Sequence, residues 1–202
     1  MRKIKQIIFD ADDTLWENNI YYLKATNDFF DLAEKEGISR SQAEKAFDEL
    51  ELKVVNELGY GSSNFHKLNK PKLIEYVTEL MEQLSHKYKL YILTKGDPHE
   101  QESKIIKSGL SKMVVKYFIL DEKDDKAYAQ LLSAQNWQPN ETCMIGNSPK
   151  SDINPALRNN MYAIHIPYKN TWKVDIEPII NKNGKYIKIN NFEELKNIFL
   201  FE

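Results

Sequence analysis

Two rhythms of apolar and polar positions alternate along the chain. Strand-length runs rich in Val, Ile, Tyr and Phe stand at QIIFD (6–10), LYILT (90–94), VVKYFIL (114–120), TCMIG (142–146) and YAIHI (162–166). Short continuous apolar runs of this kind fit strands buried on both faces of a sheet. Between them the spacing turns helical, over 98–108, 124–136 and 149–159. Pro149 behind Ser148 predicts a helix start, with the serine as cap and the proline at the first helical position. Strands that alternate with helices predict an α/β fold: right-handed crossovers and a parallel, Rossmann-like sheet with helices on both faces. YIKI at 186–189 predicts an added edge strand, and NFEELKNIFLF at 191–201 a closing amphipathic helix.

One segment breaks the alternation. Residues 17–88 carry no convincing strand but three helical stretches, 20–36, 40–58 and 71–86, with GYGSSN (59–64) breaking the second from the third. The pattern predicts a core made of 1–16 and 89–202, interrupted after its first strand by a helical insertion over 17–88. The first two helices are its clearest part.

Composition narrows the function. With 28 basic against 30 acidic residues the net charge is −2, so no broad field favours a nucleic acid polymer or an anionic membrane. Cys143 is the only cysteine, which excludes an intrachain disulfide and a thiolate metal cluster; its apolar neighbours predict a small buried hydrophobe. No window approaches the ~18 apolar residues of a membrane span. The apolar run at the start is too short for a secretory signal, so a reducing, cytoplasmic setting is expected.

Charge gathers where the strands end. IKQIIFDADDTLW (4–16) closes an apolar run with Asp10, Asp12 and Asp13. Ligands of parallel α/β sheets bind beyond the carboxyl ends of the strands. In extended chain Asp10 and Asp12 would share a side, and two such carboxylates repel unless a cation joins them or one holds a proton. The next strand ends in Thr94, and a later one runs into GNSPKSD with Asn147, Ser148 and Asp152. Lys123 precedes a helix start, where the helix's partial positive charge makes a cation unfavourable without another purpose. A carboxylate pair, a hydroxyl, a cation and a metal-ready loop on one sheet edge are what phosphoryl transfer requires.

These motifs resemble those of the haloacid dehalogenase-like (HAD) hydrolase superfamily. They occur in its order: Asp10-x-Asp12-x-Thr14, Thr94, Lys123, and the acidic loop Gly146–Asp152. The long gap before Thr94 is where that family inserts its C1 helical cap. The wording DADDTLW, TKGD, GNSPKSD and HIPYKNTW is further similar to a subgroup of phosphatases. The resemblance implies a Mg²⁺-dependent hydrolase of small phosphate monoesters, with a small phosphorylated metabolite as substrate. It implies that Asp10 attacks phosphorus and that Asp12 exchanges a proton with the leaving alcohol and with water. Thr94 and the amides around Ala11 and Lys95 would hold phosphoryl oxygens, with Lys123 offsetting their charge. Metal contacts would come from Asp10, Asp12, Asn147 and Asp152. Asn147 stands where many relatives carry aspartate, which leaves open which of Asn147 and Asp152 touches the ion. A dehalogenase, a phosphomutase and a non-catalytic binding module are the alternatives. Asp12 speaks against the first, and Asn147 is the one foothold of the last.

Overall fold

The computed structural model describes residues 3–58, 70–180 and 184–201. Six strands form one parallel sheet: β1 (Gln6–Phe9), β2 (Lys89–Lys95), β3 (Lys116–Leu120), β4 (Thr142–Gly146), β5 (Tyr162–His165) and β6 (Tyr186–Lys188). Their spatial order is β3-β2-β1-β4-β5-β6, the doubly wound arrangement. β1 is central, pairing Phe9 with Ile92 of β2 on one side and with Ile145 of β4 on the other. The chain first builds outward through β2 and β3, then returns to β1 and builds the other way. The crevice at that reversal opens beside the carboxyl end of β1.

Side-chain alternation along β1 divides the core into two layers. Ile7 and Phe9 face one side with Leu90, Ile92, Cys143 and Ile145, under α3 (Val77–Ser85), α4 (Pro98–Ser108) and α7 (Leu195–Phe199). Ile8 faces the other with Tyr91, Leu93, Met144 and Ala163, under α5 (Asp125–Ala134) and α6 (Asn154–Arg158). All five strands expected from the apolar runs are present, and the late edge strand is β6. The helix expected over 149–159 is divided: Ser148 caps a single π-helical turn, Pro149–Ile153, and α6 begins only at Asn154. Pro155 at its second position cannot donate an amide to a continuing ladder.

The insertion contains α1 (Asn19–Lys35) and α2 (Arg40–Leu58), a helical hairpin with its own small core of Phe30, Ala33 and Ala43, edged by Phe47. Phe30 and Phe47 meet edge to face at 5.7 Å. The break expected at 59–64 lies outside the described residues. Helix α3, which the sequence groups with the insertion, buries Val77, Leu80, Met81 and Leu84 in the layer under the sheet. The chain enters and leaves the hairpin along one seam: Glu17 N donates to Lys72 O at 2.9 Å, and Ile74 N to Leu15 O at 3.0 Å. Among the described residues no helix is long and apolar enough to cross a membrane.

This packing separates two otherwise similar leucines. Leu80→Ala in α3 should lower the unfolding free energy by about 2–5 kcal/mol. Leu32→Ala on α1, where the side chain is 56% exposed, should stay within about 0.5 kcal/mol of wild type. Urea titrations followed by circular dichroism measure both, and equal losses would contradict the layer assigned to α3.

Candidate active site

Asp10 follows the last residue of β1, and its amide donates to Ile145 O at 2.9 Å, closing the tips of β1 and β4 together. Its carboxylate meets a cation from the segment that follows β3. Lys123 lies in the turn between β3 and α5, just before Asp124, whose side chain caps α5. Its ammonium donates to Asp10 Oδ1 at 2.7 Å, to Leu93 O at 3.1 Å and to Asp152 Oδ1. Three donors thereby meet three acceptors, which satisfies a lysine completely. The Lys123 side chain is only 1% exposed, whereas Lys126, three residues on, faces solvent.

Burial alone would strip the proton from Lys123, but the facing carboxylates of Asp10 and Asp152 outweigh it and hold the ammonium well above its ordinary range. Asp10 shows the reverse balance. Burial chiefly, and then the like charge of Asp152, push its carboxyl up to about 7 against the opposing pull of Lys123. Its second oxygen, Oδ2, is buried with no hydrogen bond of its own. The Thr14 hydroxyl, which weakly lowers Asp10, is directed instead at Asn147 Oδ1, 3.3 Å away.

The loop after β4 is folded tightly on itself. Ser148 Oγ accepts from Ser151 N at 3.0 Å, and Asp152 Oδ2 accepts from Ser148 N at 2.9 Å. A Cβ on Gly146 would lie 2.3 Å from Asp152 Oδ2, so only glycine lets the strand end pass beneath that carboxylate. His165, at the end of β5, steadies the loop. Its Nε2–H donates to Asn147 O at 3.1 Å, leaving Nδ1 to accept from the Tyr186 hydroxyl at 3.3 Å. Burial pushes this imidazole down, and with both ring nitrogens hydrogen-bonded it serves as a structural histidine.

Asp12 faces a different environment from Asp10. Period-two alternation ends at Asp10 because the chain turns at once: Ala11 O accepts the amides of Thr14, Leu15 and Trp16. The Asp12 carboxylate accepts from Trp16 Nε1 at 2.6 Å, from Gln101 Nε2 at 2.9 Å and from Lys104 Nζ at 3.2 Å. Burial would raise it, but Lys104 first, then the bonds from Gln101 and Trp16, more than offset this and hold it below the usual carboxylate range. Asp13 has a local role. It adopts a left-handed backbone (φ 62°), and its Oδ1 accepts the amides of Asn18 and Asn19 at the start of α1.

Of the residues singled out from sequence, Asp10, Lys123 and Asp152 form one buried cluster, and Asn147 joins Thr14 beside it. Thr94 is linked to Asp12 through Gln101, whose Oε1 accepts from the Thr94 hydroxyl at 3.3 Å. Ala11 is fully buried at the turn. The Lys95 ammonium is drawn away to Ser151 Oγ, 2.9 Å distant, and Asp175, at 3.5 Å. Gln101 and Lys104 escaped the sequence reading, yet a signal was available. The inward stripe of α4 is Gln101, Lys104, Ile105 and Ser108, of which all but Ile105 are polar at positions where helical spacing calls for apolar residues.

A doubly wound parallel sheet with an acidic, lysine-bridged cluster at its reversal point is the architecture of an α/β enzyme with a site at its strand tips. Residues 4–159 match the model of haloacid dehalogenase-like hydrolases, and the chain belongs to that family. Its fold is similar to that of a haloacid dehalogenase-like family hydrolase from Xanthomonas campestris, at TM-score 0.74 and 22% identity over 97% of this chain and 94% of that one. A HAD phosphatase from Thermococcus onnurineus is similar at TM-score 0.67 and 20% identity, over 98% and 99%. The HAD-hydrolase YfnB of Bacillus subtilis, solved bound to magnesium, is similar at TM-score 0.62 and 19% identity, over 98% and 100%. No curated protein matches the chain.

Lys123→Met would leave two buried carboxylates facing each other without their cation. The expected cost near neutral pH is about 3–5 kcal/mol. The loss should shrink as the pH falls, because the variant's native state takes up a proton more readily than the unfolded chain does. Urea unfolding at about pH 5 and about pH 8 reads the difference, and a loss independent of pH would show that Lys123 does not act through its charge. Gly146→Ala should cost about 1–3 kcal/mol by overpacking alone, at either pH.

Proposed function

We propose that this protein is a Mg²⁺-dependent phosphatase of small phosphate monoesters, working through an aspartyl-phosphate on Asp10. The observation that carries this reading is the state of Asp10: a buried carboxylate at the sheet's reversal point, one oxygen on Lys123 and the other without any hydrogen bond. An unsatisfied buried carboxylate oxygen is costly, and such groups mark places where a ligand, ion or reacting atom belongs.

Asp10 attacks phosphorus, and the electron pair of the breaking P–O ester bond leaves on the alcohol oxygen, which takes a proton from Asp12, whose carboxyl the negative charge of the arriving phosphoryl group raises against the pull of Lys104. Water then attacks the phosphoryl group, gives its proton back to Asp12, and inorganic phosphate departs with Asp10 restored. The Thr94 hydroxyl and the amides of Ala11 and Lys95 hold the phosphoryl oxygens, while Lys123 offsets the charge that builds beside Asp10.

The donor chemistry fits a magnesium ion. Asp10 Oδ2 and Asn147 Oδ1, with the main-chain carbonyl of Asp12, are hard oxygen donors of the kind Mg²⁺ prefers, alongside waters. Among the described residues no three His, Cys, Asp or Glu side chains converge as a ligand group; a set built from one carboxylate, one amide and one carbonyl would not form such a group. Both Asp152 oxygens are engaged, by Lys123 and by Ser148 N. We therefore assign direct contact to Asn147, and to Asp152 the orientation of Lys123 and the loop. When bound, the ion supplies the second positive charge that keeps Asp10 ionised at neutral pH.

The hairpin α1–α2 serves as the cap of the 17–88 insertion, with α3 rooted in the core by its packing. Closure over the strand tips would exclude water and select the leaving group. The cap is tied to the segment after β5 by Trp172 Nε1 donating to Glu51 at 2.8 Å and by Lys173 on Asp48 at 2.6 Å.

Wild-type protein is expected to hydrolyse p-nitrophenyl phosphate with Mg²⁺ and to stop when EDTA is added, and Asp10→Asn should lose at least about 10³-fold in kcat. Quenching single turnovers and looking by mass spectrometry for phosphate on the peptide containing Asp10 provides the second readout. Wild-type turnover in the Asn variant would remove Asp10 from the role given to it.

A further inference from the structure

Asp12 is held by two residues of α4 to which nothing above gives a part in the reaction. Gln101 and Lys104 are 4% and 7% exposed, although both are polar and one is charged. Each bonds the Asp12 carboxylate and one further piece of the site. Gln101 receives the Thr94 hydroxyl on Oε1 and donates its amide to Asp12 Oδ2. Lys104 reaches both Asp12 oxygens, at 3.2 and 3.4 Å, and also donates to Asn18 Oδ1 at 3.1 Å, where the chain turns into α1. With Trp16 Nε1 on Oδ1, the carboxylate is held by three different side chains.

Resting on the phosphatase reading above, we propose that Gln101 and Lys104 are positioning residues, which fix Asp12 for proton delivery to the leaving group and join it to the root of the cap. The simpler possibility is that Lys104 only neutralises its neighbours, Asp12 at 3.2 Å and Glu100 at 3.0 Å. That possibility leaves Gln101 without a reason. A neutral amide brings no countercharge, yet it spans from Thr94 to Asp12 with both ends bonded. Geometry, not neutralisation, is what the two residues share.

The two possibilities differ in which substrates suffer. A proton from Asp12 matters little to an ester whose leaving group is already a stable anion, and greatly to one whose leaving oxygen is basic. Phenyl phosphate and p-nitrophenyl phosphate bind alike in size but differ in this respect. kcat/KM covers the steps through cleavage of the ester bond, so the ratio between the two esters isolates the proton transfer.

For Lys104→Met and Gln101→Leu we expect kcat/KM to fall at least about tenfold on phenyl phosphate but less than about threefold on p-nitrophenyl phosphate. KM should hardly move, and Lys104→Arg should recover most of the loss. Asp12→Asn serves as the reference and should show the same discrimination more strongly. Equal losses on both esters, or none on either, in variants of an active wild type would overturn the positioning role and leave the phosphatase reading intact. A wild type that cleaves neither ester in the presence of Mg²⁺ would overturn both. Should Lys104→Met fail to fold by circular dichroism, Gln101→Leu alone decides by the same ratio.

Discussion

One buried ammonium organises the carboxyl edge of the sheet. Lys123 is fixed by Asp10 from β1, Asp152 from the loop after β4, and the Leu93 carbonyl from β2. Each of these lies on a different strand or strand exit, so the contact can form only with the sheet in its native order. Exchanging a buried ion group for apolar residues is often neutral or favourable for stability. Its presence here is therefore better explained by chemistry than by folding. Two anions around one cation also leave an excess negative charge, consistent with Asp10 being pushed up to about 7.

A second constraint is the contrast between two aspartates separated by a single residue. Asp10 is starved of hydrogen bonds and raised; Asp12 is surrounded by donors and lowered. Nothing in their covalent chemistry distinguishes them. The difference arises because burial and the like charge of Asp152 outweigh Lys123 at Asp10, whereas at Asp12 Lys104 and the bonds from Gln101 and Trp16 outweigh burial. Environments that drive neighbouring carboxylates apart let one short loop hold two chemically identical groups in different protonation states.

The strands and their helical crossovers were legible because each reports on a local period, and every apolar run became a strand of the sheet. Less legible was anything that depends on two distant segments meeting. The split of the expected helix at 149–159 follows from Pro155 and was readable in principle, but a π-turn has no periodic signature of its own. The grouping of α3 could not be judged from spacing, since an amphipathic helix buries its stripe equally well on a cap or on a sheet. At the site, Asp10, Lys123 and Asp152 stood out as charge at strand ends. Gln101 and Lys104 did not, because a glutamine and a lysine on a helix pass for solvated surface until their neighbours Ile105 and Ser108 are seen to share their stripe.

The paired segments at the base of the helical hairpin have a consequence for how such a molecule can change over time. Because Glu17 lies hydrogen-bonded to Lys72 and Leu15 to Ile74, the path out and the path back meet at a single doorway. The sheet is already joined there, whatever the excursion between. A lineage could lengthen, trim or exchange that excursion without renegotiating the strand order or the buried lysine. In such a scaffold, new substrate preferences can arise by grafting while the reacting groups stay as they are.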